Sequence, residues 1–391
     1  MGRRKAKKLL KRTISRREFL KKGLLGLAGL GIGAYALGRL FKGSGHAIEE
    51  PPALWKWSKE AYHYVPQGRE VHCGLCPRRC ILDPGERGVC RDRINIRGRL
   101  YSLVYGNPCA VNLDPIEKKP FFHFLPGSSA FSIATAGCNL RCMYCQNWEI
   151  SQFSPEETNN ADMMPELVVA NAKISGAASI AYTYSEPTAF YEYMYDTSVL
   201  AKEQSLRNVV VSAGYINREP LKQLCSVVDA IKIDLKGFNK DFYRKVCGGE
   251  LDPVLESIKT IADSGVWLEL VNLIVPTLND DPDEIRELCR WVRDNLGPDV
   301  PLHFSRFHPD YKLKQLPPTP PESLLAARRT AFEEGLHYVY VGNLPGTDAE
   351  NTYCPNDNVL CVERSGYEII KNNLVDGKCP ICGNRIPGVW L

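Results

Sequence analysis

The sequence predicts an α/β chain: a partial (β/α) TIM-like barrel with a cysteine-rich N-terminal lobe and a ribbon-like C-terminal tail. Two observations carry this. From residue 130, apolar β-rich runs alternate with helix-like stretches over about 210 residues, the pattern of parallel β/α units. The chain also holds fifteen cysteines in 391 residues, eleven of them in three close-set groups, one inside that alternation and one on either side.

Residues 1–47 read as an address rather than a fold. They hold thirteen Lys/Arg against one acid, Glu18, whereas the remainder holds 36 against 44. The formal net charge of +4 therefore hides a mildly acidic body, the opposite of a phosphate-binding protein, and no nucleic-acid partner is expected. Ser15-Arg16-Arg17-Glu18-Phe19-Leu20-Lys21 precedes a Gly/Ala-rich apolar run, Leu24 to Leu40. This resembles a twin-arginine export signal, with Gly45-His46-Ala47 as a small-x-small step. An uncleaved anchor is the alternative, although the run is short for a span. Either reading predicts an exported body, extracytoplasmic or membrane-anchored, touching the membrane through this segment at most.

Residues 48–128 are expected to form a linker, opened by Pro51-Pro52 and running to about 70, and then the Cys-, Gly- and Pro-rich lobe. Residues 129–350 form the barrel. Its strands are expected at Phe131–Thr135, Ser179–Tyr184, Asn208–Ala213, Asp229–Leu235, Val266–Val275, Leu302–Phe307 and Tyr338–Gly342. Helices are expected at Met164–Lys173, Ala189–Gln204, Pro282–Asn295 and Pro321–Glu334. Function in such a barrel sits at the C-terminal ends of its strands. Residues 351–391 form the tail.

The first barrel strand runs into Cys138-Asn139-Leu140-Arg141-Cys142-Met143-Tyr144-Cys145. Three thiolates spaced C-x3-C-x2-C in one loop can hold three corners of a [4Fe–4S] cube. The fourth iron is then open to a chelating ligand, and the aromatic before the last cysteine can cover it. A structural zinc site or an ordinary cluster is the plainer alternative.

This loop, with its place after a first barrel strand, resembles the signature of the radical S-adenosylmethionine (SAM) enzymes. The likeness extends over roughly 71–391 and is to the pyruvate formate-lyase activating-enzyme-like group, within it most of all to the radical SAM proteins of the AmmeMemoRadiSam system. It rests on Asp114-Pro115-Ile116-Glu117-Lys118-Lys119-Pro120, on Cys145-Gln146-Asn147-Trp148-Glu149-Ile150-Ser151, on Ala181-Tyr182-Thr183-Tyr184-Ser185-Glu186-Pro187-Thr188, and on Ile233-Asp234-Leu235-Lys236. The resemblance implies a [4Fe–4S] cluster on Cys138, Cys142 and Cys145, with SAM on the open iron. One electron cleaves SAM to a 5′-deoxyadenosyl radical, which takes hydrogen from a substrate. A low-potential electron donor is the implied partner; the substrate, small molecule or protein, is unknown.

The resemblance also implies SAM contacts. Tyr184-Ser185-Glu186-Pro187 stands where the family carries Gly-Gly-Glu-Pro, and Glu186 would meet the SAM amino group; the plain alternative is a helix N-terminal acid. Asp234 and Lys236, two apart on one strand, share a face and would hold ribose hydroxyls and carboxylate, or would simply form a strand-end ion pair. Ser212 is expected near SAM. His308 is preferred over His303 for the ribose, and Asn272 and Asn343 also lie at strand ends.

Two cysteine groups remain. Cys73, Cys76, Cys80 and Cys90 can close a zinc site or a second cluster. In the tail, Cys379-Pro380-Ile381-Cys382-Gly383 is one half of a zinc ribbon. In the other half, Cys354-Pro355-Asn356-Asp357, an acid stands where the second cysteine belongs, so Asp357 or Cys361 would complete the site. Cys109, Cys225, Cys247 and Cys289 read as buried apolar residues. From another class, an exported, non-catalytic iron–sulfur electron-transfer protein would need the cysteines but not Glu186, Asp234 and Lys236.

Overall fold

All seven apolar runs become neighbours in one sheet. In the computed structural model, which describes residues 55–390, they are β1 (Ser129–Ala134), β2 (Ser179–Tyr182), β3 (Arg207–Ser212), β4 (Ala230–Asp234), β5 (Trp267–Ile274), β6 (Leu302–Arg306) and β7 (Val339–Gly342). They pair in parallel and in sequence order. Between them lie α1 (Pro165–Ile174), α2 (Tyr191–Glu203), α3 (Arg218–Cys225), α4 (Leu251–Ser264), α5 (Pro282–Leu296) and α6 (Pro321–Glu333). The export-signal reading of 1–47 lies outside the described residues.

The local chemistry explains the elements. Val209, Val210 and Ile231 are almost wholly buried, as strands covered on both faces require. α5 starts where the Asp281 carboxylate accepts the amides of Asp283 and Glu284 at 2.9 and 3.2 Å. It stops at Gly297, whose φ of 89° suits a residue without Cβ. The sequence pattern missed α3 and α4, and it missed the edge strand Ala110–Pro115, which pairs antiparallel with β1. β7 and that edge strand are the two ends of the sheet and do not pair with each other, so the barrel stays open.

Two three-stranded antiparallel sheets make up the lobe and a third makes up the tail. The stretch expected to be a linker is structured from residue 55, with strands Lys59–Glu60 and Tyr64–Gln67. Side chains on α2 explain this. The Tyr62 amide donates to Glu192 at 2.9 Å, and its hydroxyl donates to Asp196 at 2.6 Å. Arg93, from the lobe, forms a buried ion pair with the same Glu192. The tail docks through Arg364, which donates to the Phe122 carbonyl at 2.7 Å and the Glu350 carbonyl at 3.0 Å. No helix among the described residues is long and apolar enough to cross a membrane.

Candidate active site

The C-terminal ends of the strands surround a cavity of about 520 Å³. Its first wall is the loop after β1. Gly137 opens this loop at φ 89°, and a Cβ there would fall 1.9 Å from the Asp92 carboxylate, so only glycine fits. The loop is then pinned from outside. The Arg141 and Met143 amides donate to the Cys247 and Val246 carbonyls, both at 2.9 Å, and Asn139 Nδ2 donates to the Tyr215 carbonyl at 2.7 Å. Cys138, Cys142 and Cys145 all line the cavity as free thiols.

The environment treats the three thiols differently. Burial pushes Cys138 and Cys145 up. Cys142 is held down at about 7, chiefly by a hydrogen bond from the Cys247 thiol, helped by the Lys236 ammonium and the Tyr144 hydroxyl. Cys247, read from sequence as a plain apolar residue, therefore lies against the motif loop. The Tyr144 hydroxyl also contacts its sulfur at 3.5 Å.

The facing wall carries the strand-end residues. Glu186 is buried, and its Oε1 accepts from the Thr188 amide (3.1 Å), the Thr188 hydroxyl (2.8 Å) and the Ser212 hydroxyl (2.6 Å). Oε2 accepts only from the Ala213 amide at 2.8 Å, which leaves it acceptor capacity. Tyr184 adopts φ 63°, and its carbonyl accepts from Asn147 Nδ2 at 2.8 Å, tying β2 to the cysteine loop. Ser185 Oγ is buried in the same wall without a partner. Lys232, Asp234 and Lys236 alternate along β4 and its exit, and all three line the cavity. Asp234 bonds to both lysines, with Lys236 Nζ at 3.3 Å. Burial works against its charge, but the two ammonium groups outweigh burial and hold its carboxyl below the ordinary range.

The structure brings His303 to this cavity and not His308. Side chains alternate along a strand, so His303 and Ser305 share the inner face of β6; that strand ends at Arg306, and His308, beyond it, is exposed. His303 is occupied, however: its Nε2 lies 2.8 Å from the buried Glu269 carboxylate. Asn343 reaches the cavity wall, whereas Asn272 is spent on the Leu235 carbonyl at 2.8 Å.

Sequence reasoning assigned no role to three further features. Lys118 and Lys119 line the cavity and clamp Asp114 at 2.8 and 2.5 Å. Tyr184 donates its hydroxyl to the same carboxylate. Burial lowers Lys119 to about 8 despite that carboxylate. The string Asp114-to-Pro120 was visible as a motif, but pairing across an antiparallel edge strand leaves no periodic mark. Lys232 could have been found by extending the i, i+2 rule one step back. The third feature is the tail, whose Gly366 and Tyr367, with Glu350 just before it, form part of the rim.

The outer cysteine groups are also gathered in space. Cys73, Cys76, Cys80 and Cys90 surround one internal void in the lobe; burial raises Cys76 to about 11. In the tail the ligand atoms of Cys354, Asp357, Cys379 and Cys382 lie within 4.8 Å of one another. Cys361 is not among them: it is buried, and its sulfur faces the Val359 carbonyl at 3.6 Å.

An open parallel barrel with three free thiols of a C-x3-C-x2-C loop at its mouth defines an enzyme scaffold built around a thiolate-held group. The family model of the radical SAM superfamily matches residues 132–292. An uncharacterized protein of Methanocaldococcus jannaschii is 52% identical over 331 residues, covering 84% of this chain and 98% of its own. The pyruvate formate-lyase-activating enzyme of Clostridium pasteurianum is 23% identical over 46% of this chain and 80% of its own. A solved radical SAM methyltransferase from Sphaerobacter thermophilus aligns over 75% of this chain and 82% of its own, with 13% identity and a TM-score of 0.44. The chain belongs to the radical SAM superfamily and is an enzyme of that type.

Proposed function

We propose that the cavity binds a [4Fe–4S] cluster on Cys138, Cys142 and Cys145 and SAM beside it, for radical chemistry on a further substrate. The convergence of three free thiols from one loop on a cavity whose opposite wall is already polar and charged carries this reading. The donor set fits: three soft sulfur ligands leave one iron of a cubane open. The orphaned Ser185 hydroxyl and the spare acceptor capacity of Glu186 Oε2 fit a polar ligand next to it. Held by Cys138, Cys142 and Cys145, the cluster would supply the one electron that splits SAM into methionine and a hydrogen-abstracting 5′-deoxyadenosyl radical.

The chain's own residues place and shield that chemistry. Glu186 holds a negative charge for the SAM ammonium, fixed by Ser212, Thr188 and Ala213. Asp234 presents a carboxylate oriented by Lys232 and Lys236, and Lys236 adds positive charge near Cys142. Tyr184 and Ser185 shape the end of β2 through backbone and hydroxyl. A purely electron-carrying protein needs none of this second wall. The volume is in the range of a small-molecule site, roughly 300–1,000 Å³. Anaerobic incubation of reconstituted protein with SAM and a strong one-electron reductant tests the reading. It should release 5′-deoxyadenosine and methionine; no cleavage in a protein that carries its full iron would refute it.

We further propose that residues 1–47 export the loaded protein through a twin-arginine route. The paired arginines and the charge break at 47 support this. An oxygen-sensitive cluster inserted in the cytoplasm gives such a chain reason to cross already folded.

A further inference from the structure

The two outlying cysteine groups differ in spacing. Among the described residues, the tail set is the one group of three or more potential ligands with all ligand atoms within 4.8 Å of one another. A tetrahedral zinc with bonds of about 2.3 Å sets its sulfurs about 3.8 Å apart, so the tail set is close to that scale. No three of the lobe thiols are so close, although all four line one void. A [4Fe–4S] cubane sets its irons at four alternate corners, one thiolate on each, and so spreads its thiolates further than a single ion does.

The lobe void has a second, independent feature. Arg93 lines it with a side chain only 2% exposed. Its Nη2 is spent on Glu192 at 2.6 and 2.8 Å, but Nε and Nη1 are buried with no partner. Two orphaned cationic donors in a buried site call for an anionic acceptor. Leu75, Leu82, Val89 and Ala189 complete an apolar lining. Asn139, the neighbour of Cys138, also lines the void, as does Thr188, which donates to Glu186. One layer of residues thus separates the void from the central cavity.

We propose that Cys73, Cys76, Cys80 and Cys90 hold a second [4Fe–4S] cluster, closed by four thiolates and hydrogen-bonded by Arg93. With no open iron it does not bind SAM, and what it can exchange is an electron. The proposal stands apart from the reading of the central cavity, and one experiment separates them. The full chain carrying Cys138→Ala, Cys142→Ala and Cys145→Ala is reconstituted anaerobically with iron and sulfide, in the presence of zinc. It should retain about four irons per chain and, once reduced, an EPR signal that SAM leaves unchanged. Zinc in place of iron, no lobe metal, or a signal that SAM shifts would each overturn it. As a second arm, Cys76→Ala with Cys80→Ala in the otherwise native chain should halve the iron content. Unchanged iron would overturn the lobe assignment while leaving the central one standing.

A different observation carries an assignment for the tail. Its two turns are matched: the Asn358 amide donates to the Cys354 carbonyl at 2.9 Å, and the Gly383 amide to the Cys379 carbonyl at 3.1 Å. Asn358 and Gly383 both adopt left-handed φ, 57° and 72°. Asp357 thereby occupies the place that Cys382 has in the other turn. Cys354 Sγ lies 3.6 Å from Cys382 Sγ, and Cys379 Sγ lies 3.4 Å from Asp357 Oδ2. We infer a zinc site of three thiolates and one carboxylate. Purified full chain should contain about one zinc, lost in Cys382→Ser and kept in Cys361→Ser. Zinc lost in Cys361→Ser, or absent from the native chain, would overturn it.

Discussion

The Ser212 hydroxyl donates to Glu186 Oε1 at 2.6 Å, joining the ends of β2 and β3 beneath the cavity. Neither strand alone would fix that carboxylate. With the Thr188 and Ala213 amides it becomes a preset negative charge facing the thiol loop.

Glu186→Gln keeps the shape and removes the charge. Its amide group must set a donor against the Ala213 amide or the Thr188–Ser212 donors, which leaves a buried group unsatisfied. We expect a loss of about 1–3 kcal/mol in urea unfolding and SAM binding at least tenfold weaker by calorimetry. Native stability and affinity in this variant would remove Glu186 from the site.

Gly137→Ala should cost far more than its one methyl suggests. The Cβ meets the Asp92 carboxylate at 1.9 and 2.2 Å, at a φ of 89°. Reconstituted iron is expected to fall well below the native level as the loop shifts. Gly265→Ala is the control: its φ is also positive, at 77°, but nothing lies within 4 Å of the new Cβ. It should cost only about 1 kcal/mol and keep native iron.

Acid should loosen the tail. His123 is buried between the Pro387 carbonyl at 2.6 Å and the Tyr340 hydroxyl at 2.5 Å. Burial lowers its pKa to about 4, with Glu269 opposing. Between pH 6.5 and about 4 the unfolded chain binds a proton that the folded chain does not. Stability therefore falls as pH drops through that window, by about 3 kcal/mol. His123→Gln, which does not titrate there, should flatten the dependence of the urea midpoint on pH. An unchanged slope would exclude His123 as a source.

Changing Arg16 and Arg17 both to Lys keeps the charge but removes the paired arginines. The variant is expected to accumulate in the cytoplasm with its iron intact, as read by fractionation and metal analysis. Normal delivery to the outer face would favour a charge-directed anchor instead.

The barrel was legible because parallel strands buried on both faces leave continuous apolar runs, as at Val209-Val210-Val211. The edge strand Ala110–Pro115 was not, since its outer side is unpaired and its residues alternate little. That the cysteine loop and the carboxylates at 186 and 234 line one cavity was legible from the family resemblance and from strand-end position. What could not be read was where a residue just past a strand end points: the family resemblance favoured His308 over His303, but His308 is exposed and His303 lines the cavity. Nor could spacing along the chain choose between Asp357 and Cys361; that needed the two tail turns side by side.

The most direct measurement is EPR of the reduced, anaerobically reconstituted full chain with and without SAM. A [4Fe–4S]⁺ signal should change its g values on adding SAM, and the changing component should vanish in the Cys138→Ala, Cys142→Ala, Cys145→Ala variant. A signal indifferent to SAM in the native chain, or a SAM-sensitive one that survives the triple substitution, would contradict the assignment of the central cavity.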